Sequence, residues 1–262
     1  MRNIRLIIEY DGSAFHGWQV QKNGSSVQET LARAIYAITG EQTMPTGAGR
    51  TDAGVHACGQ VAAFPTDSRI PAERFAGALN AVLPRTVSIA CSEDADTCFH
   101  PRMDATGKHY RYLILNRPCR CALMENRAWH VAGLLDECAM QAAADHIVGL
   151  HDFRAFCASG HSVKTYTRMI TRAEWTRSGD RVLFDIAGTG FLYKMVRILV
   201  GTMVEVGRGR RTAAGFGEIL SGGDRRKAGI TAPACGLYMM SVRYGEPPVP
   251  GHFPADMDEE GD

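Results

Sequence analysis

The chain has 262 residues, of which 45% are hydrophobic and 22% charged, and its formal net charge is +1. This composition is typical of a soluble globular protein with one large or two modest domains. No apolar run approaches the length of a membrane-spanning helix, and the start, Met1–Arg5, lacks a signal-peptide core. We therefore expect a cytoplasmic protein without a membrane partner.

The charges are unevenly distributed. Residues 246–262 contain six acidic residues and four prolines but no lysine or arginine. Residues 1–245 contain all 29 basic residues and 22 acidic ones, which gives this part a formal net charge of +7. We expect 246–262 to be a poorly ordered acidic tail and the basic part to attract a polyanion.

The first 105 residues predict the element order β-α-β-β-α-β. A strand is predicted over 3–10, where the sequence runs into the Asp11–Gly12 turn. A helix is predicted over 27–39, because Ser26 and Glu29 form a capping box before an apolar stripe. The other predicted elements of this part are strands near 42–46, 58–64 and 86–91 and a helix that Pro71 opens and that ends near residue 83.

The remainder, up to residue 245, repeats this order, which is the split β-α-β plan of ferredoxin-like domains. We therefore predict an α+β protein with two ferredoxin-like halves, 1–105 and 106–245, and a central cleft that receives residues from both. The elements predicted in the second half are strands near 106–115, 168–176, 182–187 and 237–244 and helices near 135–148, 191–206 and 212–220.

The run Gly47–Ala57 (GAGRTDAGVHA) is the most informative segment. Its glycines permit a backbone with φ > 0 or a close approach to a ligand. Arg50 carries a permanent forked charge that suits phosphate or carboxylate, and Asp52 can act as a nucleophile, a base or an anion. A tight turn with a solvated Arg50 is the alternative, since Gly and Asp are common in turns.

Two further segments accompany this run: Lys108–Tyr112 (KHYRY) and Phe191–Arg197 (FLYKMVR). Together the three resemble the signature loop, the tyrosine-bearing strand and the arginine-bearing helix of the tRNA pseudouridine synthase A family, and the similarity extends from about Arg2 to Tyr244. The resemblance implies the pseudouridine synthase fold, with the antiparallel sheets of the halves joined. It also implies an RNA isomerase that acts without a cofactor, as a homodimer, on uridines 38, 39 and 40 of the tRNA anticodon arm.

The resemblance assigns roles to four residues. Asp52 is the nucleophile, Arg197 its ion-pair partner, and Tyr110 a substrate contact that stacks on uracil. Arg50 is a substrate contact that either steers the RNA backbone or keeps the flipped position open. A cation beside Asp52 would favour its charged form in a dry pocket. Whether Asp52 attacks ribose C1′, attacks uracil C6 or removes a sugar proton is left open.

Other basic residues are candidate contacts to the RNA backbone: Lys108, Arg111, Lys164 and Arg168. No metal site is predicted, because the eight cysteines contain no Cys-x-x-Cys pair; a site formed by Cys119, Cys121 and His130 is the alternative. Two other functions stay open: a non-catalytic RNA-binding module on the same fold, and a metal-dependent nuclease that uses Asp52, His56 and the cysteines.

Overall fold

The structure, a computed structural model, describes residues 1–22, 24–160 and 163–245; the predicted acidic tail lies outside the described residues. The strands are β1 (Arg2–Tyr10), β2 (Thr46–Gly47), β3 (His56–Thr66), β4 (Val87–Ala95), β5 (Ala105–Asn116), β6 (Trp129–Val131), β7 (Gly149–Asp152), β8 (Thr167–Ser178), β9 (Arg181–Gly188) and β10 (Leu237–Tyr244). The α-helices are α1 (Val27–Thr39), α2 (Phe75–Asn80), α3 (Glu137–Asp145), α4 (Met195–Gly207) and α5 (Ala213–Gly222).

All ten strands belong to one sheet, in the order β4-β1-β3-β10-β5-β9-β8-β7, with β2 beside β3 and β6 beside β5. The strand order fourth, first, third, second occurs twice: as β4-β1-β3-β2 and again as β10-β5-β9-β8. This is the order of a ferredoxin-like sheet, so the predicted α+β fold with two β-α-β-β-α-β halves is confirmed. The limits of these halves, 1–105 and 106–245, stay a prediction.

The two halves join where β10 pairs with β3. This pairing is parallel and short: Tyr238 lies opposite His56, and Met239 lies opposite Ala57. On its other side, Met239 of β10 lies opposite Tyr110 of β5 in an antiparallel pairing. The junction therefore places Tyr110 two strands away from the start of β3, with only β10 between them.

Helix α1 has the predicted limits. The Ser26 side chain accepts a hydrogen bond from the Glu29 N–H at 3.2 Å, which satisfies one of the free donors of the first turn. Val27 and Leu31 are completely buried on the predicted apolar face. Gly40 ends the helix with φ +75°, a conformation that glycine adopts without steric cost.

The helix predicted over 191–206 begins only at Met195. Lys194 has a left-handed backbone, with φ +58°, and such a residue cannot continue a right-handed helix into the preceding segment. Phe191 and Leu192 consequently lie in irregular backbone and Tyr193 in the turn before the helix, and all three line the cleft described below. The predicted start of this helix was wrong, and the residues expected in its first turn line the cleft instead.

Other boundaries also differ from the prediction. The segment after Pro71 forms a single 3-10 turn before α2, and the strand expected near 42–46 is the two-residue β2. Strands β6 and β7 were not predicted, since three and four residues are too few to show a period.

Helix α4 lies in the interior: eleven of its 13 residues are buried, including Ile198, Leu199 and Met203. Helices α3 and α5 pack against it. Arg197 is therefore a charged residue on an otherwise apolar part of this helix. In the described part of the chain, no helix combines the length and hydropathy needed to cross a bilayer.

Candidate active site

A cleft of about 580 Å³ opens where the loop before β3 meets β5 and the turn before α4. Three segments that are far apart in the sequence converge there, and these are the segments that carry the motifs of the sequence analysis. The lining includes Arg50, Asp52, Lys108, Tyr110, Phe191 and Arg197.

The loop that carries Asp52 is fixed by backbone hydrogen bonds. The N–H of Val55 donates to the carbonyl of Asp52 at 3.1 Å, and the N–H of Trp18 donates to the carbonyl of Thr51 at 3.1 Å. Gly54 has φ +79°, which a residue with a side chain rarely adopts. The loop is therefore a rigid support for the Asp52 side chain.

Two buried polar side chains beneath the loop were missed by sequence reasoning. The amide of Gln60 donates to the Gly49 carbonyl at 2.9 Å. The hydroxyl of Tyr10 shares a hydrogen bond with the hydroxyl of Thr51 at 2.8 Å, and burial raises the pKa of Tyr10 to about 12. A glutamine in the middle of an apolar strand was the one available signal, because a buried amide needs partners.

Asp52 and Arg197 form an ion pair at the wall of the cleft. The Nη1 of Arg197 lies 2.7 Å from Oδ2 of Asp52, and their side chains are 14% and 22% exposed, respectively. The pair joins residues 145 positions apart. The structure thus brings together the two residues to which the resemblance gave the roles of nucleophile and ion-pair partner.

The guanidinium of Arg197 is held from a second side. Its Nε donates to the carbonyl of Ala232 at 2.8 Å, and the backbone of Ala232 is tied to Arg197 by a further bond, N–H to carbonyl at 3.0 Å. Within the described residues, Oδ1 of Asp52 has no hydrogen-bond donor. One oxygen of Asp52 is therefore fixed by Arg197, and the other is free for a ligand.

Tyr110 lies on β5 with its ring in the cleft wall. It is 8% exposed, and its ring meets Phe191 edge-on, with centroids 5.1 Å apart. Burial raises the pKa of Tyr110, and the neighbouring Tyr10 and Asp52 raise it further, so the phenol stays protonated. Its hydroxyl makes no hydrogen bond within the described chain and lies near Gly49 at the cleft.

Of the other basic candidates, two line the cleft and three do not, namely Arg111, Lys164 and Arg168. Arg50 and Lys108 line the cleft, and the exposed Arg50 has no ion pair or hydrogen bond from its side chain in the described ranges. Arg168 stands at the start of β8, where its Nη1 donates to the carbonyls of Thr165 and Thr167. Arg111 and Lys164 do not line the cleft: Arg111 pairs with the buried Asp185, and Lys164 is exposed on a loop.

His56 has a structural position at the end of the loop. Its Nδ1 accepts the N–H of Gly12 at 3.1 Å, and its Nε2 faces the carbonyl of Asn126 at 2.9 Å. The ring is neutral, because burial lowers the pKa of His56 and Nδ1 is already an acceptor. The 3.3 Å approach of Asp11 to Nδ1 is consequently a contact and not an ion pair.

No group of three or more His, Cys, Asp or Glu side chains in residues 1–22, 24–160 and 163–245 has the arrangement of a metal site. Of the alternative set, Cys119 is exposed, and His130 faces the carbonyl of Arg117 through Nε2 at 2.8 Å.

Known proteins resemble this chain along most of its length. A family model described as tRNA pseudouridine synthase matches residues 6–104 and 143–245. The tRNA pseudouridine synthase A of Acetivibrio thermocellus is 52% identical over 244 residues, which cover 93% of this chain and 100% of that protein. Its namesake from Ruminiclostridium cellulolyticum is 47% identical over 245 residues, with the same coverage, 93% and 100%.

Among solved structures, a chain of a Cbf5-Nop10-Gar1 complex is 13% identical, with a TM-score of 0.39; the alignment covers 90% of this chain and 48% of that one. The family model and the two relatives match along both halves of the chain, and the resemblance stated from the three motifs is confirmed. This protein belongs to the tRNA pseudouridine synthase family.

Proposed function

We propose that this protein isomerises uridine to pseudouridine in the anticodon arm of tRNA, at positions 38, 39 and 40, with Asp52 as the nucleophile. The isomerisation of uridine in tRNA follows from the family and from the names of the relatives. The observation that supports the choice of Asp52 is its ion pair with Arg197 in the cleft, beside Tyr110.

The reaction conserves atoms and electrons. The bond from ribose C1′ to uracil N1 breaks, a bond from C1′ to uracil C5 forms, the proton on C5 is lost, and N1 gains a proton. Such a reaction needs an anion that can attack an electron-poor carbon and a pocket that retains the detached base. Asp52 supplies the anion with its free Oδ1, while Arg197 holds Oδ2.

Tyr110 and Phe191 form the apolar side of this pocket. Their edge-on contact leaves the Tyr110 ring in the wall that faces Asp52, where a uracil turned out of the RNA can stack. Because its phenol stays protonated, Tyr110 acts through its ring and not as a second anion.

Arg50 lies on the same loop as Asp52 but is exposed at the cleft, which suits a contact to the RNA backbone outside the pocket. Action in the cytoplasm as a homodimer stays a prediction from the resemblance.

The test compares the wild type with Asp52→Asn and with Asp145→Asn, an exposed aspartate on α3 outside the cleft. Each protein is incubated with a tRNA that has uridine at 38, 39 and 40, and pseudouridine is mapped by position. We expect product from the wild type and Asp145→Asn, and none from Asp52→Asn despite near-normal tRNA affinity. Product from Asp52→Asn would refute the nucleophile, lost binding with an intact fold would make Asp52 a recognition residue, and product elsewhere would correct the target positions.

A further inference from the structure

Lys108 brings an ammonium group to the signature loop. Lys108 and Tyr110 are two residues apart on β5, so both side chains lie on the same side of the sheet. The Nζ of Lys108 lies 3.5 Å, and the hydroxyl of Tyr110 3.8 Å, from the position that a Cβ on Gly49 would occupy. The ammonium group therefore stands beside the pocket proposed for uracil.

Within the described residues, Lys108 has no ion-pair or hydrogen-bond partner, and the cleft carboxylate, Asp52, is bound to Arg197. Its neighbours are cations instead: burial and, to a lesser extent, Arg102 and Arg168 lower the pKa of Lys108 to about 8. A half-buried cation among cations is unfavourable unless an anion binds there. The site is thus built for an anionic ligand.

The three cations are held by different elements. Two of them line the cleft, and Arg168 lies beside it, with its Nε 3.7 Å from the position that a Cβ on Gly190, the residue before Phe191, would occupy. Arg102 lines the cleft from the segment before β5, and Lys108 lines it from β5 itself. Arg168 approaches from the start of β8, where two carbonyls hold its guanidinium through Nη1 and leave its other donors for a ligand. Arg111, whose side chain lies on the opposite side of β5, pairs with Asp185 and does not belong to this group of cations.

We propose that Arg102, Lys108 and Arg168 form a subsite for a single RNA phosphate, the phosphodiester that flanks the uridine held in the cleft. This inference rests on the proposed function, because the neighbouring Asp52 and Tyr110 define which nucleotide is meant. Lys108 is a positioning residue: with the phosphate bound, the ribose of the target is held over Asp52 while the base is detached from it.

The test pairs Lys108→Met with a chemical change in the RNA. Each of the two phosphodiesters that flank the target uridine is replaced, one at a time, by a neutral methylphosphonate in an assembled tRNA. In the wild type, we expect one of the two replacements to lower kcat/KM about tenfold or more, as for loss of a charge-assisted hydrogen bond. In Lys108→Met, whose kcat/KM for normal tRNA is lowered to a similar extent, that replacement should have little further effect.

Lys227→Met is the matched control, because Lys227 is exposed outside the cleft; it should respond to the methylphosphonate as the wild type does. Lys108→Arg keeps the charge and should recover part of the lost activity. Lys108→Met should melt at or above the wild-type temperature, since it removes an unpaired cation from a half-buried position. A residue needed only for folding would show the opposite shift.

Equal effects of both methylphosphonates in the wild type and in Lys108→Met would overturn the subsite. A wild type that makes no pseudouridine in unmodified tRNA would instead refute the proposed function. The two failures are therefore distinguishable in the same set of measurements.

Discussion

Replacing Arg197 by methionine should both destabilise the fold and stop the reaction. A buried ion pair that loses one partner costs about 3–5 kcal/mol and an exposed pair at most about 1 kcal/mol. With side chains 14% and 22% exposed, the pair of Arg197 and Asp52 lies between these limits, and we take ~2 kcal/mol. The lost hydrogen bond to the Ala232 carbonyl adds about 1 kcal/mol.

A loss of ~3 kcal/mol corresponds to a fall in melting temperature of about 6–12 °C for a chain of this size. The rate should fall by about 100-fold or more, as when an enzyme loses one electrostatic contact at the reacting group. Melting is followed by circular dichroism, and pseudouridine formation is measured at a temperature at which the variant remains folded.

Arg211→Met is the control. Arg211 pairs with Glu205, with side chains 33% and 21% exposed, outside the cleft. This variant should lose about 1 kcal/mol of stability and no activity. The double variant Asp52→Asn with Arg197→Met should lose about 1–2 kcal/mol less stability than the two single variants lose together, because the two residues are coupled.

If folded Arg197→Met made pseudouridine at a rate close to that of the wild type, Arg197 would have no part in preparing Asp52. If the two substitutions were additive in stability, the ion pair would contribute nothing that the single residues do not.

Tyr110→Phe should retain most activity and Tyr110→Ala should lose it, because stacking on a base is worth about 1–3 kcal/mol; a phenylalanine variant as inactive as the alanine variant would assign the role to the hydroxyl. Burial opposes the charged form of Asp185, but hydrogen bonds from His109 and Arg111 outweigh it and place the pKa of Asp185 below its ordinary value. The ionised carboxylate therefore stabilises the fold above the unfolded pKa of about 4, and this contribution is lost as the pH falls through the lower, folded value. Melting temperatures of the wild type and Asp185→Asn should differ at neutral pH and converge on acidification; a constant difference would contradict this.

The periodicity of apolar residues was sufficient to predict most of the helices and strands. Helix α1 has its predicted limits because its cap and apolar stripe are local in sequence. The start of α4 was not predictable in this way, since FLYKMVR continues the apolar pattern without interruption. The left-handed backbone at Lys194 is an observation that only the structure supplies, and local propensity does not favour it at a lysine.

The site was predictable from the resemblance more than from the residues. Nothing in the spacing of Asp52 and Arg197 indicates that they meet, because the contact depends on how β10 joins the two halves. Alternation along β5 does show that Lys108 and Arg111 lie on opposite sides, but not which side is the cleft. Without that information, the sequence does not distinguish Lys108 from Arg111 as an RNA contact.

The cleft uses its cations in two different ways. Arg197 is bound by the Ala232 carbonyl and by Asp52, so it cannot turn towards RNA without leaving the carboxylate unpaired. Lys108 has a flexible chain and no fixed partner in the described residues, so it can bind a phosphate at no cost to Asp52. If the two positions exchanged roles, a phosphate would compete with Asp52 for the same guanidinium and weaken the proposed nucleophile each time RNA was bound. Because the paired and the unpaired cation lie on separate elements, α4 and β5, the proposed phosphate contact would leave the ion pair of Asp52 intact.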